Sequence, residues 1–452
     1  MKSILIQNIK AIVTLDKEDR VLEGQHLLIE DGRIAYLGTE QRNAETVIDG
    51  KGLFAYPGLI NTHHHLYQTF TRNLPQVQNM ELFPWLKTLY EIWRGLTPEM
   101  IYYSSLVGMA ELLKYGCTTC FDQHYVFPRA RAKHLIDHQF AAATDLGIRF
   151  HAARGSMARG RSDGGLPPDD LVQTVDEILA DSQRLIEEYH DPKPGAMRQV
   201  ALAPCSPFSV SGELMRETAL LARSKKVRLH THLAETKDEE EYCLQQFGLR
   251  PLAYMDSLGW LGSDVWYAHG IHFDDTELEL LAATQTGVAH CPSSNQKLAS
   301  GVAKIPRMLE LDVPLGLAVD GSASNDGSNM LQELRSAYLM HRLHYSSTAP
   351  SAYQLLQLAT RGGARLLGRD DIGSLEVGKA ADLFLINMEK IEYVGAQFDP
   401  RAVLSTVGIA RPVDYTIVNG RIVVKDGRIE GLIDEDKVAE VANKLVRQLN
   451  ER

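Results

Sequence analysis

Eight short apolar runs, each ending in polar residues, limit this chain to few architectures. They are FAYPGLINTHHH (54–65), GCTTCFDQHY (116–125), GIRFHAARG (147–155), RQVALAPCSPF (198–208), VRLHTHLAE (227–235), DVWYAHGIHF (264–273), GVAHCPSSN (287–295) and VPLGLAVDGSASND (313–326). Segments of helical periodicity separate most of them, among them MIYYSSLVGMAELLKYG, DLVQTVDEILADSQRLIEEY and DTELELLAATQTG. Strand–helix alternation predicts a parallel sheet, and eight such units predict an α/β fold of the (β/α)8 TIM-barrel type. In that fold chemistry sits at the carboxyl ends of the strands, where the polar residues of these runs cluster.

The flanks read differently. Residues 1–56 form short β-rich runs with a hairpin signal at Asp31-Gly32, and the same texture returns near the C-terminus with Asn419-Gly420 and Asp426-Gly427. IEDGRI and VKDGRI are near-copies, but two copies separated by most of the chain cannot stack as a repeat array. They predict the two ends of one small β-sandwich domain, residues 1–56 with 366–452, around a catalytic barrel at 57–365. Two long strand-to-helix connections are expected to act as lids or binding walls: 66–98, rich in aromatics, and the Gly/Pro-rich 156–168.

Charge excludes some functions. The formal net charge is −11 and no Lys/Arg run is present, which argues against a nucleic-acid surface. No uncharged apolar stretch reaches spanning length, so no membrane partner is expected. The first twenty residues have neither an apolar signal region nor a cleavage site, and the five cysteines are sparse. Reduced thiols in a cytoplasmic protein are the expectation. Cys117 and Cys120 make a CxxC inside a strand, with no second pair, and read as buried small hydrophobes.

Three clusters at strand ends carry the chemistry. His63 and His65 share one face of the first strand and His64 points the opposite way. In HTHLAE, His232 lies nearer the strand end, His230 reads as a hydrogen-bonded core histidine one layer deeper, and Glu235 can reach a metal-bound water. Asp320 ends the eighth strand. His63, His65, His232 and Asp320 suit a catalytic first-row cation: Zn²⁺ by expectation, with Fe²⁺ or Mn²⁺ fitting the same ligands. His269 ends the sixth strand and can hold a hydroxide or a developing oxyanion. His272 and His290 read as structural, and the acidic run 238–241 as the first turn of a helix without a functional role.

These motifs resemble the amidohydrolase superfamily, in its deaminase/chlorohydrolase branch. PGLINTHHH (57–65), HTHLAE (230–235), AHG (268–270), VDGSASND (319–326) and GKAADL (378–383) carry the likeness over the whole chain. The resemblance implies metal ligation by His63, His65, His232 and Asp320, proton shuttling by Glu235 and hydroxide holding by His269. Binuclear members place a bridging lysine on the fourth strand; here that strand reads VALAPCSPF, so a single metal is expected. It further implies a homo-oligomer and hydrolytic deamination of a free heterocyclic base. In that reaction Asp320 takes a proton from water, Glu235 passes one to the ring, and ammonia leaves.

Within the branch, NTHHHLYQTFTR, LFPWLKTLY, LAPCSPFSV, RLHTHLAET and HCPSSNQKLASG are most similar to the 8-oxoguanine deaminase subgroup, a role in purine catabolism that yields urate. The methylthioadenosine/S-adenosylhomocysteine deaminases carry a ribose-binding glutamate where this chain has Trp93, and a substrate histidine where it has Cys205. Both departures favour a planar base over a nucleoside. Arg154 matches the family's substrate arginine. Trp93, Tyr67 and Trp85 can wall a ring, Gln68 and Arg154 can bond its polar edge, and His124 and Tyr125 are further candidates. The alternatives are a related ring (isoxanthopterin, guanine, a hydroxytriazine), an S-adenosylhomocysteine-type nucleoside, or a non-catalytic binding barrel. The small cytidine-deaminase class needs HxE with PCxxC, and fails here.

Overall fold

All eight runs form barrel strands in the computed structural model, which describes residues 3–129, 134–431 and 433–451. They are Leu59–Asn61, Cys117–His124, Arg149–Ser156, Arg198–Pro204, Leu229–Leu233, Val265–His269, Gly287–His290 and Leu315–Leu317. Each pairs in parallel with the next in chain order. The ring closes where Thr62 N donates to Leu317 O (3.3 Å) and Asp320 N donates to His63 O (3.1 Å). The closing bonds thus involve two of the residues that sequence reading placed in the site.

The first run divides between two sheets. Leu53–Pro57 pairs antiparallel with Leu383–Asn387 and parallel with Ala11–Val13, inside a seven-stranded sheet; only Leu59–Asn61 enters the barrel. Ile4–Ile9, Gln25–Glu30, Arg33–Gly38 and Thr46–Asp49 make a second, four-stranded sheet. Both termini therefore build the flanking β layers. The three expected hairpins have positive φ at both turn residues: Asp31/Gly32 (50° and 79°), Asn419/Gly420 (48° and 74°) and Asp426/Gly427 (52° and 75°). Such turns match strand twist and favour Asn/Asp-Gly pairs. Two of the tips touch, since a Cβ at Gly32 would meet Asn419 Oδ1 at 2.9 Å.

Two segments carry more structure than their sequence signals. Residues 66–98, expected as a lid or binding wall, hold a 3-10 turn at Leu66–Thr71 and an α-helix at Leu82–Trp93 whose inner face buries Trp85, Leu86, Leu89, Tyr90 and Trp93. The final helix, Glu435–Asn450, was grouped with the sandwich by sequence but packs on Pro98–Lys114 of the barrel. Lys114 Nζ meets Glu435 Oε2 at 2.7 Å, and Asn450 Nδ2 donates to Phe70 O at 3.3 Å. This helix thereby braces the aromatic segment. Past Ser156, which ends the third strand, the segment to 168 holds a short 3-10 turn, tied to the aromatic helix by Arg161–Glu91 at 2.9 Å.

Barrel and sandwich are locked by a buried ion pair. Arg149 Nε and Nη2 donate to Asp382 at 2.9 and 3.1 Å, and Asp382 Oδ1 also accepts from Asn419 N at 2.7 Å. Removing one partner would leave a buried charge uncompensated, which costs about 3–5 kcal/mol. Asp382→Ala is therefore expected to lower unfolding stability by about that amount, read from denaturant midpoints, while metal content per folded chain stays unchanged.

Candidate metal-dependent active site

Four histidines meet at the carboxyl mouth of the barrel with their outer nitrogens already tied. His65 Nδ1 lies 2.8 Å from Gln123 O, and His232 Nδ1 2.6 Å from Cys205 O. A carbonyl only accepts, so both Nδ1 atoms carry hydrogen and both Nε2 atoms are bare lone pairs. Those two Nε2 atoms face each other at 3.1 Å. His63 follows through a relay. His230 Nδ1 donates to Trp266 O (2.9 Å), so His230 Nε2 accepts from His63 Nδ1 (2.8 Å). That leaves His63 Nε2 as a lone pair, fully buried and without a hydrogen-bond partner, 3.3 Å from Asp320 Oδ1. His65 Nε2 is 3.4 Å from the same oxygen. Acceptors crowded this way repel one another unless a cation sits among them. His63, His232, His269 and Asp320 offer donor atoms all within 4.8 Å of one another, and His65 adjoins them. The donor set fits a divalent cation of the zinc type, with each ligating imidazole fixed by its outer partner.

Desolvation pushes His63 and His232 well below the usual imidazole range, keeping them neutral as ligands must be. Burial would raise Asp320, yet its carboxyl is held well below the usual carboxylate range. Its Oδ2 accepts from Ser294 Oγ (2.6 Å) and Ser324 Oγ (3.2 Å), and its Oδ1 from Gly321 N (2.6 Å). Burial pushes Glu235 up to about 7, where a carboxyl can both take and give a proton. His269 Nε2 stands 3.5 Å from Glu235 Oε2 and 3.9 Å from Asp320 Oδ2, and its Nδ1 donates to Asn295 Oδ1 at 2.9 Å.

The backbone is strained where this chemistry gathers. Ala234, His269 and Asp320 adopt left-handed φ values of 53°, 72° and 68°. Each costs on the order of 1–3 kcal/mol for a residue with a side chain, so its surroundings must enforce it. Glu239 enforces the first: its buried carboxylate accepts from Ala234 N (3.0 Å) and Glu235 N (2.9 Å). Glu239 belongs to the acidic run that sequence reading left without a role. Its helix begins after Thr236, which turns this one acid inward toward the site. Ser294 and Asn295 were likewise passed over; the helix Pro292–Lys297 delivers them.

The adjacent cavity holds about 350 Å³ of empty space, counting its open side. Gln68, Tyr125, Cys205 and Glu235 line it, with Leu82, Trp85, Leu86, Phe208 and Leu298 as apolar walls. Gln68 Oε1 is buried without a partner. Three expected contacts lie elsewhere. Arg154 is bound to Asp181 (2.7 Å) and Gln173 (2.9 Å) behind the third strand, over the Phe127 ring. Trp93 stands edge-on to Tyr67 and Trp85, one layer behind the wall, with Nε1 donating to Thr71. His124 is buried between Tyr67 and Phe127. Side chains alternate along a strand, so His124 and Arg154 face the helices while their neighbours face the mouth.

A profile of the amidohydrolase family matches residues 54–423. An 8-oxoguanine deaminase of Pseudomonas aeruginosa is 50% identical over 410 residues, covering 90% of this chain and 91% of that one. A hydroxydechloroatrazine ethylaminohydrolase of Pseudomonas sp. (strain ADP) is 41% identical, over 99% of this chain and 96% of its own. The crystal structure of an atrazine chlorohydrolase from Arthrobacter aurescens TC1, complexed with zinc, superposes with a TM-score of 0.94 at 36% identity, over 98% of this chain and 100% of that one. The chain belongs to the amidohydrolase family, in its deaminase branch, and is a hydrolase of carbon–nitrogen bonds.

Two substitutions test the site. His63→Ala should abolish retention of a divalent metal through gel filtration, and His230→Ala should weaken metal affinity about 10- to 100-fold by releasing the ring behind it. Metal analysis and competition with a chelator read both. Glu239→Ala should leave metal content intact and lower kcat about 10²-fold, because Glu235 loses its fixed backbone.

Proposed function

We propose that this protein catalyses hydrolytic deamination of a free aminated heterocycle, with 8-oxoguanine and water giving urate and ammonia. The likeness at 50% identity to an 8-oxoguanine deaminase carries this reading of the substrate. The shape of the cavity supports it: flat apolar walls, one unpaired amide oxygen, and a small thiol at Cys205 suit a ring without a sugar.

A divalent cation, Zn²⁺ on this reading, held by His63, His65, His232 and Asp320 would acidify a water near neutral pH. Trp85, Leu86 and Phe208 grip the ring faces and exclude solvent. Gln68 Oε1, lacking any partner of its own, accepts a ring N–H and sets the ring's orientation. Asp320 receives a proton at its carboxylate from the attacking water. Glu235 places a proton on the ring nitrogen beside the amino-bearing carbon, which its elevated pKa permits. Burial would lower His269, but Glu235 and Asp320 raise it, so both its nitrogens carry hydrogen: Nδ1 is held by Asn295 and Nε2–H steadies the new oxygen. The amino group takes the proton held by Asp320 and departs as ammonia, the new hydroxyl returns its proton to Glu235, and a ring carbonyl remains.

Purified zinc-loaded protein should convert 8-oxoguanine to urate with one ammonia released per turnover, and Glu235→Gln should lose at least 10³-fold in kcat with metal content unchanged. A 41% identical relative named for a triazine favours one second reading, a hydroxytriazine aminohydrolase. Turnover of a hydroxytriazine with none of 8-oxoguanine would select it. An active Glu235→Gln protein would remove the proposed role of Glu235.

A further inference from the structure

A second cavity opens at the opposite, amino-terminal mouth of the barrel, with about 550 Å³ of empty space counting its open side. Phe121 and Trp266 form its apolar roof, beneath the His230 layer. Its polar lining comes from Lys226, Arg228, His151, His190 and Gln199, and contains no carboxylate.

The hydrogen bonds of these residues leave it a cluster of donors. His151 Nε2 accepts from Arg369 Nη1 at 3.2 Å, because a guanidinium only donates. His190 Nδ1 accepts from Val200 N at 3.1 Å. Each ring has thereby used its acceptor nitrogen, so the remaining nitrogen of each carries hydrogen. Arg228 places one Nη on Ser263 O, but its Nε is buried without a partner. The carboxylates that act on this site from behind already have partners. Asp371 is bidentate to Arg369 at 2.7 Å and accepts from Gly195 N, Asp264 takes Arg223 at 3.0 Å, and Asp191 accepts from Lys193 N. Lys226 stands exposed at the rim with no ion pair among the described residues. Gly368 leaves the space that Arg228 fills: a Cβ there would meet Arg228 Nη1 at 2.7 Å.

We propose that this cavity binds a small tetrahedral oxyanion of the phosphate type. Two cationic side chains and two imidazoles line it, from the third strand (His151), the turn after the helix Val175–Tyr189 (His190) and the turn before the fifth strand (Lys226 and Arg228). Donors arriving from several directions suit tetrahedral oxygens better than a planar carboxylate, which one guanidinium fork satisfies. The site stands apart from the metal centre, and its occupancy would strengthen the seam between the barrel base and the buried Arg369–Asp371 pair.

Calorimetric titration of the metal-loaded enzyme with inorganic phosphate tests it, with acetate at matched ionic strength as a second arm. The wild-type protein should bind one phosphate per chain with saturation, and bind acetate at least tenfold more weakly. Lys226→Asn keeps the left-handed backbone at that position (φ 57°) and should weaken phosphate binding at least tenfold. His190→Gln should weaken it as well, with turnover at the other mouth unchanged in both variants. Absence of saturable phosphate binding would overturn the proposal. So would equal binding by wild type and Lys226→Asn, which would place the phosphate at the metal centre, or acetate binding as tight as phosphate.

Discussion

The structure depends on the repulsion it contains. Three imidazole lone pairs and a carboxylate converge in a buried space, and each outer ring nitrogen is locked as a donor to a neighbour. Rotating a ring away from that convergence would break a buried hydrogen bond and leave an orphaned carbonyl. A cation resolves it in one step. The same geometry that makes the cation-free protein costly suits a divalent ion held through imidazole nitrogen and carboxylate oxygen.

The fold supplies the force that holds such an arrangement. Its histidines and Asp320 come from strands one, five, six and eight: one and eight meet where the ring closes, five and six pair with each other, and their carboxyl ends converge across the mouth. Left-handed residues at the ends of the fifth, sixth and eighth strands aim Glu235, His269 and Asp320 inward. Glu239, Asn295 and Ser294 then pin the turn, the imidazole and the carboxylate in that order. Beneath them, His230 stacks on Trp266 at 4.6 Å, so that its aromatic layer is both the barrel's core and the floor of the site. Chemistry and packing share residues here, and neither can be altered alone.

Much of this was legible in the sequence because strand periodicity is a local property. The separation of His63 and His65 from His64 follows from alternation alone, and His64 indeed turns away to Ser328 Oγ at 3.0 Å. The paired Asn/Asp-Gly turns are legible for the same reason. What could not be read depends on where an element begins or what stands beyond it. Of four consecutive acids, the helix start selects Glu239 for burial. Arg154 and His124 carry suitable chemistry, yet strand phase directs them to the helix layer, where Asp181 and the aromatic rings receive them. The final amphipathic helix carries no local sign of its partner, because Pro98–Lys114 lies more than three hundred residues earlier.

The central claim is that the convergent acceptors are a mononuclear metal site built from three histidines and one carboxylate. X-ray absorption spectroscopy of the zinc-loaded protein tests it most directly. The account predicts one zinc per chain, a first shell of nitrogen and oxygen only, and outer-shell scattering that requires three imidazoles. Sulfur in the first shell, from Cys205 or Cys291, or scattering from one imidazole or none, would contradict it.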